Sequence, residues 1–178
     1  MKKITNSTIL TLMLLANINS LAFANEDMDE AFGAFVFTPS TADGTIEGYE
    51  FEGSGMLGFI FGNKKMFSEN LGLYGSYDMS YNSVDETETS DETIYGYRIF
   101  NIGVTYSPSD SIRILGGVGI SWEYGEFFYE GTHYETEEDK TEMNFHAGVS
   151  YKITDKYGAI LTYNTASSSV GGGITFNF

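Results

Sequence analysis

The sequence lacks cysteine and has little proline, little positive charge and no long apolar run. Without cysteine, neither a disulfide nor a thiolate metal site can form. Nine Lys and Arg stand against 25 Asp and Glu, giving a net charge of −16. Phosphate recognition needs a basic surface, so this charge argues against a nucleic-acid partner. After the N-terminal segment, no apolar stretch comes close to the length of about 20 residues that a transmembrane helix requires.

The first residues have the features of an export signal. Met1-Lys2-Lys3 is basic, residues 9–16 are apolar, and Ala22-Phe23-Ala24 provides a small-residue cleavage site. We therefore predict a signal peptide at residues 1–24 and one folded domain at residues 25–178.

Glycine and aromatic residues are abundant, and hydrophobicity alternates with a period of two, which predicts strands rather than helices. The predicted strands are 31–38, 49–62, 71–81, 94–106, 111–129, 142–152, 157–165 and 169–178. Three of the predicted connections are short: 63–70, 107–110 and 153–156. Three are longer and polar: 39–48, 82–93 and 130–141. The last connection, 166–168, is also short. An even strand number and alternating short turns and long loops are typical of outer-membrane barrels. We predict an all-β, eight-stranded antiparallel up-and-down transmembrane β-barrel with both termini in the periplasm.

Each predicted strand has one face of large apolar residues and one of small or polar residues. In the last strand, Ile174, Phe176 and Phe178 oppose Thr175 and Asn177. A water-soluble barrel would bury its large residues inside. Here the second face suits a small polar interior, and the large residues suit lipid. Aromatic residues at the strand ends predict two interfacial girdles; they are Tyr95, Tyr97, Trp122 and Tyr124 at one rim, and Phe59, Phe61, Tyr106, Tyr157 and Phe178 at the other.

Three segments resemble the OmpX/Ail-type outer-membrane proteins and, more broadly, the OmpA membrane domain. They are residues 114–120 (ILGGVGI), 146–152 (HAGVSYK) and 171–178 (GGGITFNF). The resemblance implies eight antiparallel strands, roles in adhesion, surface defence or envelope integrity, and a C-terminal assembly signal carried by Phe176 and Phe178. The implied partners are outer-membrane lipids and lipopolysaccharide, periplasmic chaperones and the barrel-assembly machinery, with an extracellular protein as a further possibility. We expect a monomer.

The expected function is that of a non-enzymatic outer-membrane protein whose acidic surface loops serve surface interaction, adhesion or envelope integrity. A narrow ion or small-solute channel and a lipid A-modifying enzyme are the alternatives. The acidic residues are Asp85, Glu86, Glu88, Asp91 and Glu92 in one loop, and Glu130, Glu135, Glu137, Glu138 and Asp139 in another. They could bind divalent cations or form a solvated surface. Related adhesins present basic or mixed loops, which puts adhesion to polyanionic surfaces in doubt.

Several residues are candidates for the barrel interior, where ionisable groups need partners. They are Glu52, Asp78, Arg113, Glu123, His146 and Lys152. A β-bulge near Ile99-Phe100 would turn Arg98 inwards to form an ion pair with Asp78; alternatively, Arg98 extends outward to the interface.

Other motifs do not predict a catalytic, cofactor or metal site. His133 and His146 lie on different elements, which makes a weak metal site. Residues 53–58 match G-x-G-x-x-G but lie in a strand with no helix after it. Residues 125–129 extend the fifth strand beyond the membrane and predict a projecting sheet, whose edge could pair with a partner.

Overall fold

The computed structural model describes residues 30–46, 49–51, 53–80, 92–129, 132–135 and 141–178. The predicted signal peptide, Glu52 and most of the acidic loop residues lie outside these ranges. Within the described part of the chain, no helix has the length and apolar character needed to cross a membrane.

Eleven strands follow one another along the described residues. They are β1 (Ala31–Thr38), β2 (Gly44–Ile46), β3 (Tyr49–Phe51), β4 (Met56–Ser68), β5 (Leu71–Ser80), β6 (Glu92–Ser109), β7 (Ile112–Tyr129), β8 (Thr132–Glu135), β9 (Thr141–Lys152), β10 (Tyr157–Asn164) and β11 (Ser169–Asn177). Eight of them form the wall in the order β6-β5-β4-β1-β11-β10-β9-β7, and β6 pairs with β7 to close it. The wall pairings are antiparallel throughout. The predicted eight-stranded barrel is confirmed.

The strand boundaries differ from the prediction at several places. The predicted strand 49–62 is divided at residues 53–55 into β3 and β4, and β3 pairs with β2 as a separate hairpin. β4 then continues through the predicted turn to Ser68, where the β4–β5 register shifts between Asn63 and Ser68. The predicted loop 130–141 contains β8, because the polar sequence there still pairs with the end of β7.

The two ends of the barrel differ in their connections. At one end lie the tight turns 69–70, 110–111 and 153–156 together with Glu30 and Phe178, whose amide donates to the carbonyl of Ala31. We call this the turn end. The opposite end, which carries the β2–β3 hairpin and the turn after β10, is the loop end.

The wall separates an outer apolar face from the interior by strict alternation. On β10, Leu161 is 58% exposed, whereas its neighbours Ile160 and Thr162 are 2% and 4% exposed. Exposed large side chains continue around the outside; examples are Ile102, Val118, Phe145, Val149, Val170 and Ile174. A continuous apolar outer band matches a lipid environment. Phe61, Tyr106, Tyr157 and Phe178 are exposed near the turn end, as predicted for one girdle. Tyr97, predicted at the other rim, is instead buried.

The interior is less polar than the sequence predicts. A buried apolar cluster occupies part of it, formed by Phe32, Ala34, Val36, Ile60, Tyr74, Leu115 and Ile160. Three of these seven residues lie on β1, which is apolar on both faces: Phe35 and Phe37 face outwards while Phe32 and Val36 face inwards. Alternation of polarity carries no signal in such a strand.

A three-stranded sheet extends beyond the barrel at the loop end. The β6–β7 ladder continues from Arg98/Trp122 to Glu92/Phe128, and β8 adds pairing from Glu126/Glu135 to Tyr129/Thr132. The predicted projection is therefore confirmed in the backbone. Within the described residues, β8 is the last strand of this sheet order.

Candidate functional site

Tyr74 crosses the barrel interior above two glycines. Tyr74, Gly103, Gly117 and His146 lie at one level on the adjacent strands β5, β6, β7 and β9. The Tyr74 hydroxyl forms a hydrogen bond of 2.7 Å with Nδ1 of His146. A Cβ added at Gly103 would lie 2.6 Å from Cε1 of Tyr74, and one at Gly117 would lie 2.6 Å from its hydroxyl oxygen. The aromatic side chain therefore fits only because both positions lack a side chain.

A second row, of asparagines, lies beside the first. Asn101 of β6 and Asn144 of β9 flank Gly119 of β7, and the Asn144 amide donates to Oδ1 of Asn101 at 2.7 Å. It also donates to Oδ1 of Asn164 on β10 at 2.8 Å, while the Asn101 amide donates to the hydroxyl of Ser76 at 3.0 Å. A Cβ at Gly119 would lie 2.3 Å from Oδ1 of Asn101. Glycine in the intervening strand thus lets amides on non-adjacent strands meet.

These two rows fill the interior across its width. Asn101, Asn144, Asn164 and His146 are all buried, and each has a hydrogen-bond partner inside the barrel. Buried polar groups are stable when paired in this way. The interior glycines, which in the sequence suggest space for water, are covered by neighbouring side chains at Gly103, Gly117 and Gly119. This cross-section has the character of a packed core rather than a pore lining.

The predicted interior ion pair between Asp78 and Arg98 is wrong. The β5–β6 ladder runs without a register shift, so Asp78 lies opposite Ile99 and Arg98 lies opposite Met79. Asp78 points inwards and is 3% exposed, whereas Arg98 belongs to the exposed outer face. No bulge turns Arg98 inwards, and its outward placement agrees with the alternative that the sequence left open. The side-chain partner of Asp78 is Asn164, and Oδ2 of Asp78 is buried without a hydrogen-bond partner among the described residues.

The other predicted interior groups have different environments. Arg113 and His146 are buried, while Glu123 and Lys152 are half-buried near opposite ends of the wall. Lys152 forms an ion pair with Asp155 at 2.8 Å, which lowers the pKa of the exposed Asp155 carboxyl. Across the ranges that the structure describes, no three His, Asp or Glu residues group to hold a metal ion.

Sequence reasoning did not single out Tyr74 or the three buried asparagines. The available signal was their position on the inward face of four strands, opposite small residues. Alternation predicts that each side chain points inwards, but it does not show which of them meet.

Comparisons with known proteins agree with this geometry. The family model described as "Outer membrane protein beta-barrel domain" matches residues 8–177. Ail, the attachment invasion locus protein of Yersinia pestis, superposes with a TM-score of 0.66 at 15% identity over 84% of this chain and 99% of that chain. A structure of Ail in complex with the heparin analogue sucrose octasulfate gives a TM-score of 0.64 at 15% identity, with the same coverage of both chains.

The N-terminal β-barrel domain of Pseudomonas aeruginosa OprF gives a TM-score of 0.52 at 14% identity, over 84% of this chain and 98% of that chain. At these identities the likeness shows the fold, and it confirms the fold-level resemblance to Ail-type barrels. No curated protein sequence matches the chain.

Proposed function

Because the chain belongs to the outer membrane protein beta-barrel domain family, we propose that it is a non-enzymatic surface protein that contacts extracellular partners through its loop end. The observation that carries this proposal is the β6–β7–β8 sheet, which continues the wall beyond the barrel. Such a sheet offers backbone edges and side chains outside the lipid, where a partner can reach them.

The proposed orientation places the turn end in the periplasm. Outer-membrane barrels have short periplasmic turns and long extracellular loops, and the short turns, Glu30 and Phe178 all lie at the same end. In this orientation the signal peptide proposed at residues 1–24 is removed on the side where the mature chain starts.

The filled interior argues against the channel alternative. An eight-stranded barrel is just wide enough for side chains to fill it. Here the Tyr74–His146 bond and the asparagine row span that width. A steady conductance would require these groups to separate and leave buried donors and acceptors unpaired.

The geometry also argues against a lipid A-modifying enzyme. A nucleophilic mechanism needs a base within hydrogen-bond reach of a serine, oriented by a third group. Nδ1 of His146 is bonded to Tyr74, and His146 is buried in the barrel. Its imidazole is therefore part of the packed core.

Charge distinguishes the surface of this chain from that of a barrel that binds a heparin analogue. The Ail structure named above contains a polyanionic heparin analogue. In this chain the predicted loops 82–93 and 130–141 carry ten Asp and Glu and a single cation, Lys140. Like charges repel, so we propose that the preferred partner presents positive charge.

Neutralising the third long loop is expected to weaken adhesion to a cationic surface several-fold. We would compare cells that display the wild type with cells that display E137Q/E138Q/D139N, on surfaces coated with poly-lysine or with heparin. Wild-type cells should adhere to poly-lysine in a salt-sensitive manner and should not adhere to heparin, because the attraction is electrostatic.

The matched control is E69Q/D110N/D155N, which removes three carboxylates from exposed turn-end positions. In the proposed orientation these positions face the periplasm, so adhesion should match that of the wild type. Equal loss of adhesion in both variants, or none in either, would contradict the proposed role of the loop end.

Phe178 and Phe176 are the proposed assembly signal. Phe178 is 63% exposed at the turn end, and Phe176 makes edge contacts with Phe35 and Tyr157. Deleting Phe178 is expected to lower the fraction of heat-modifiable protein in the outer membrane without altering export or signal cleavage. I174A is the control, since it removes exposed apolar surface from the same strand face and leaves the C-terminus intact. Normal insertion of the deletion variant would count against the assignment.

A further inference from the structure

A large β-bulge interrupts β4 near the turn end. Asn63 pairs with Leu73 and Ser68 pairs with Leu71, so four residues of β4, 64–67, face the single residue Gly72 of β5. We call residues 64–67 the β4 bulge. One extra residue is enough to bend a strand, so the three extra residues of the β4 bulge must leave the plane of the wall.

Three local features fix the base of the β4 bulge. The Lys65 amide donates to Oδ1 of Asn63 at 2.8 Å, which turns the chain as it leaves the ladder. The Lys65 ammonium forms an ion pair of 2.6 Å with Glu30, the residue before β1. The Asn63 carbonyl passes so close to Gly72 that a Cβ there would clash with it. The β4 bulge is therefore a defined feature of the wall.

The β4 bulge presents two large apolar side chains on the outside of the barrel. Met66 is 49% exposed and Phe67 is 58% exposed. Lys64 and Glu69, which lie on either side of this pair in the sequence, line the open mouth of the barrel, whereas Met66 and Phe67 do not. Large apolar side chains that are exposed side by side mark a surface that contacts a membrane or a partner.

This apolar pair continues the lipid-facing surface of the wall. The rings of Phe61 and Phe178 lie 3.5 and 3.6 Å from a Cβ added at Gly33, so together they cover the outer side of β1. Asn63 pairs with Ala31, whose carbonyl accepts from the Phe178 amide, and the β4 bulge begins one residue later. The bulge therefore follows directly on the aromatic girdle at the turn end.

We propose that the β4 bulge is an interfacial anchor that places the Met66 and Phe67 side chains in the headgroup–acyl boundary of the adjacent lipid leaflet. Apolar and aromatic side chains favour this boundary. Because the Lys65–Glu30 ion pair has no net charge, the anchor should also hold in zwitterionic lipid. In the proposed orientation the leaflet is the periplasmic one. The anchor lies at the opposite end from the β6–β7–β8 sheet, so the two proposals can fail separately.

The test uses tryptophan fluorescence of the predicted mature chain, residues 25–178, folded into phosphatidylcholine vesicles. W122F removes the single native tryptophan, and F67W adds a reporter in the β4 bulge. N70W is the matched control in the same hairpin, because Asn70 lines the mouth of the barrel, and I174W is the reference for a lipid-facing position. We expect brominated phosphatidylcholine to quench F67W nearly as strongly as I174W. Aqueous acrylamide should quench F67W several-fold less than N70W.

M66W is a second reporter that should respond as F67W does, and heat-modifiable migration identifies the variants that have folded. If both bulge reporters respond to acrylamide as N70W does, the bulge lies in water and the proposal is overturned. It is also overturned if they are shielded only in native outer membranes, which would indicate a periplasmic protein partner. Shielding that appears only at high protein-to-lipid ratios would indicate a second copy of this chain and would overturn it as well.

Discussion

Replacing Gly117 with alanine is expected to destabilise the folded barrel by about 3 kcal/mol, the upper part of the range for overpacked cores. The added Cβ would lie 2.6 Å from the carbonyl oxygen of Ile102 and 2.6 Å from the Tyr74 hydroxyl. The first contact is with backbone that belongs to the β6–β7 ladder, and the second is with the group bonded to His146. These two clashes can therefore be relieved only if the barrel wall distorts or a buried hydrogen bond is lost. Reversible urea unfolding of the lipid-inserted barrel measures the change.

Gly116 provides the matched control for this substitution. It is the adjacent glycine on the same strand, it faces outwards, and no atom lies within 4 Å of an added Cβ. G116A alters the backbone entropy of the unfolded chain in the same way as G117A, so the difference between them isolates packing. Equal stabilities for the two variants would show that Tyr74 does not occupy the space above Gly117. Partial recovery in G117A/Y74F would identify the hydroxyl as one of the clashing groups.

Replacing Asn144 with alanine is the second large expected effect, a destabilisation of about 3 kcal/mol from buried groups left unpaired. Asn144 donates to Asn101 and Asn164, and its Oδ1 accepts from the amide of Ala166 at 2.9 Å. The alanine variant removes all of these bonds, and Oδ1 of Asn101 loses its donor. It also removes the bond from the Ala166 amide, which is one of those that hold the turn after β10, so amide exchange there should accelerate.

The control for Asn144 is the same change at an exposed asparagine, N70A in the turn after β4. Surface substitutions of this kind usually change stability by less than about 0.5 kcal/mol. The urea midpoint of N70A should therefore stay close to that of the wild type. A midpoint for N144A as high as that for N70A would mean that the asparagine row does not stabilise the barrel.

The sequence predicted the strands well where polarity alternates and poorly where it does not. The segment 142–152 alternates throughout, and β9 matches it within one residue. By contrast, the predicted turn 63–70 contains the last residues of β4, because hydrogen bonding to β5 resumes beyond the irregularity at Asn63. Pairing between strands extends a strand beyond the point where its own sequence favours one.

The error over Asp78 and Arg98 has the same origin. An inward Arg98 requires one extra residue in β6, and a sequence does not show a bulge directly. The ladder from Leu71/Tyr106 to Met79/Arg98 is continuous, so alternation alone determines where Arg98 lies. The regular pattern was the better guide, and Arg98 is not the partner of Asp78.

The sequence by itself determined the barrel class, the number of wall strands and whether most side chains point inwards or outwards. These features depend on the local alternation of polarity and on turn residues. Only the tertiary structure decided which interior groups meet. Tyr74 and His146 are 72 residues apart, and Asn101 and Asn144 are 43 apart. They meet because barrel closure and register bring small residues between them, at Gly103, Gly117 and Gly119.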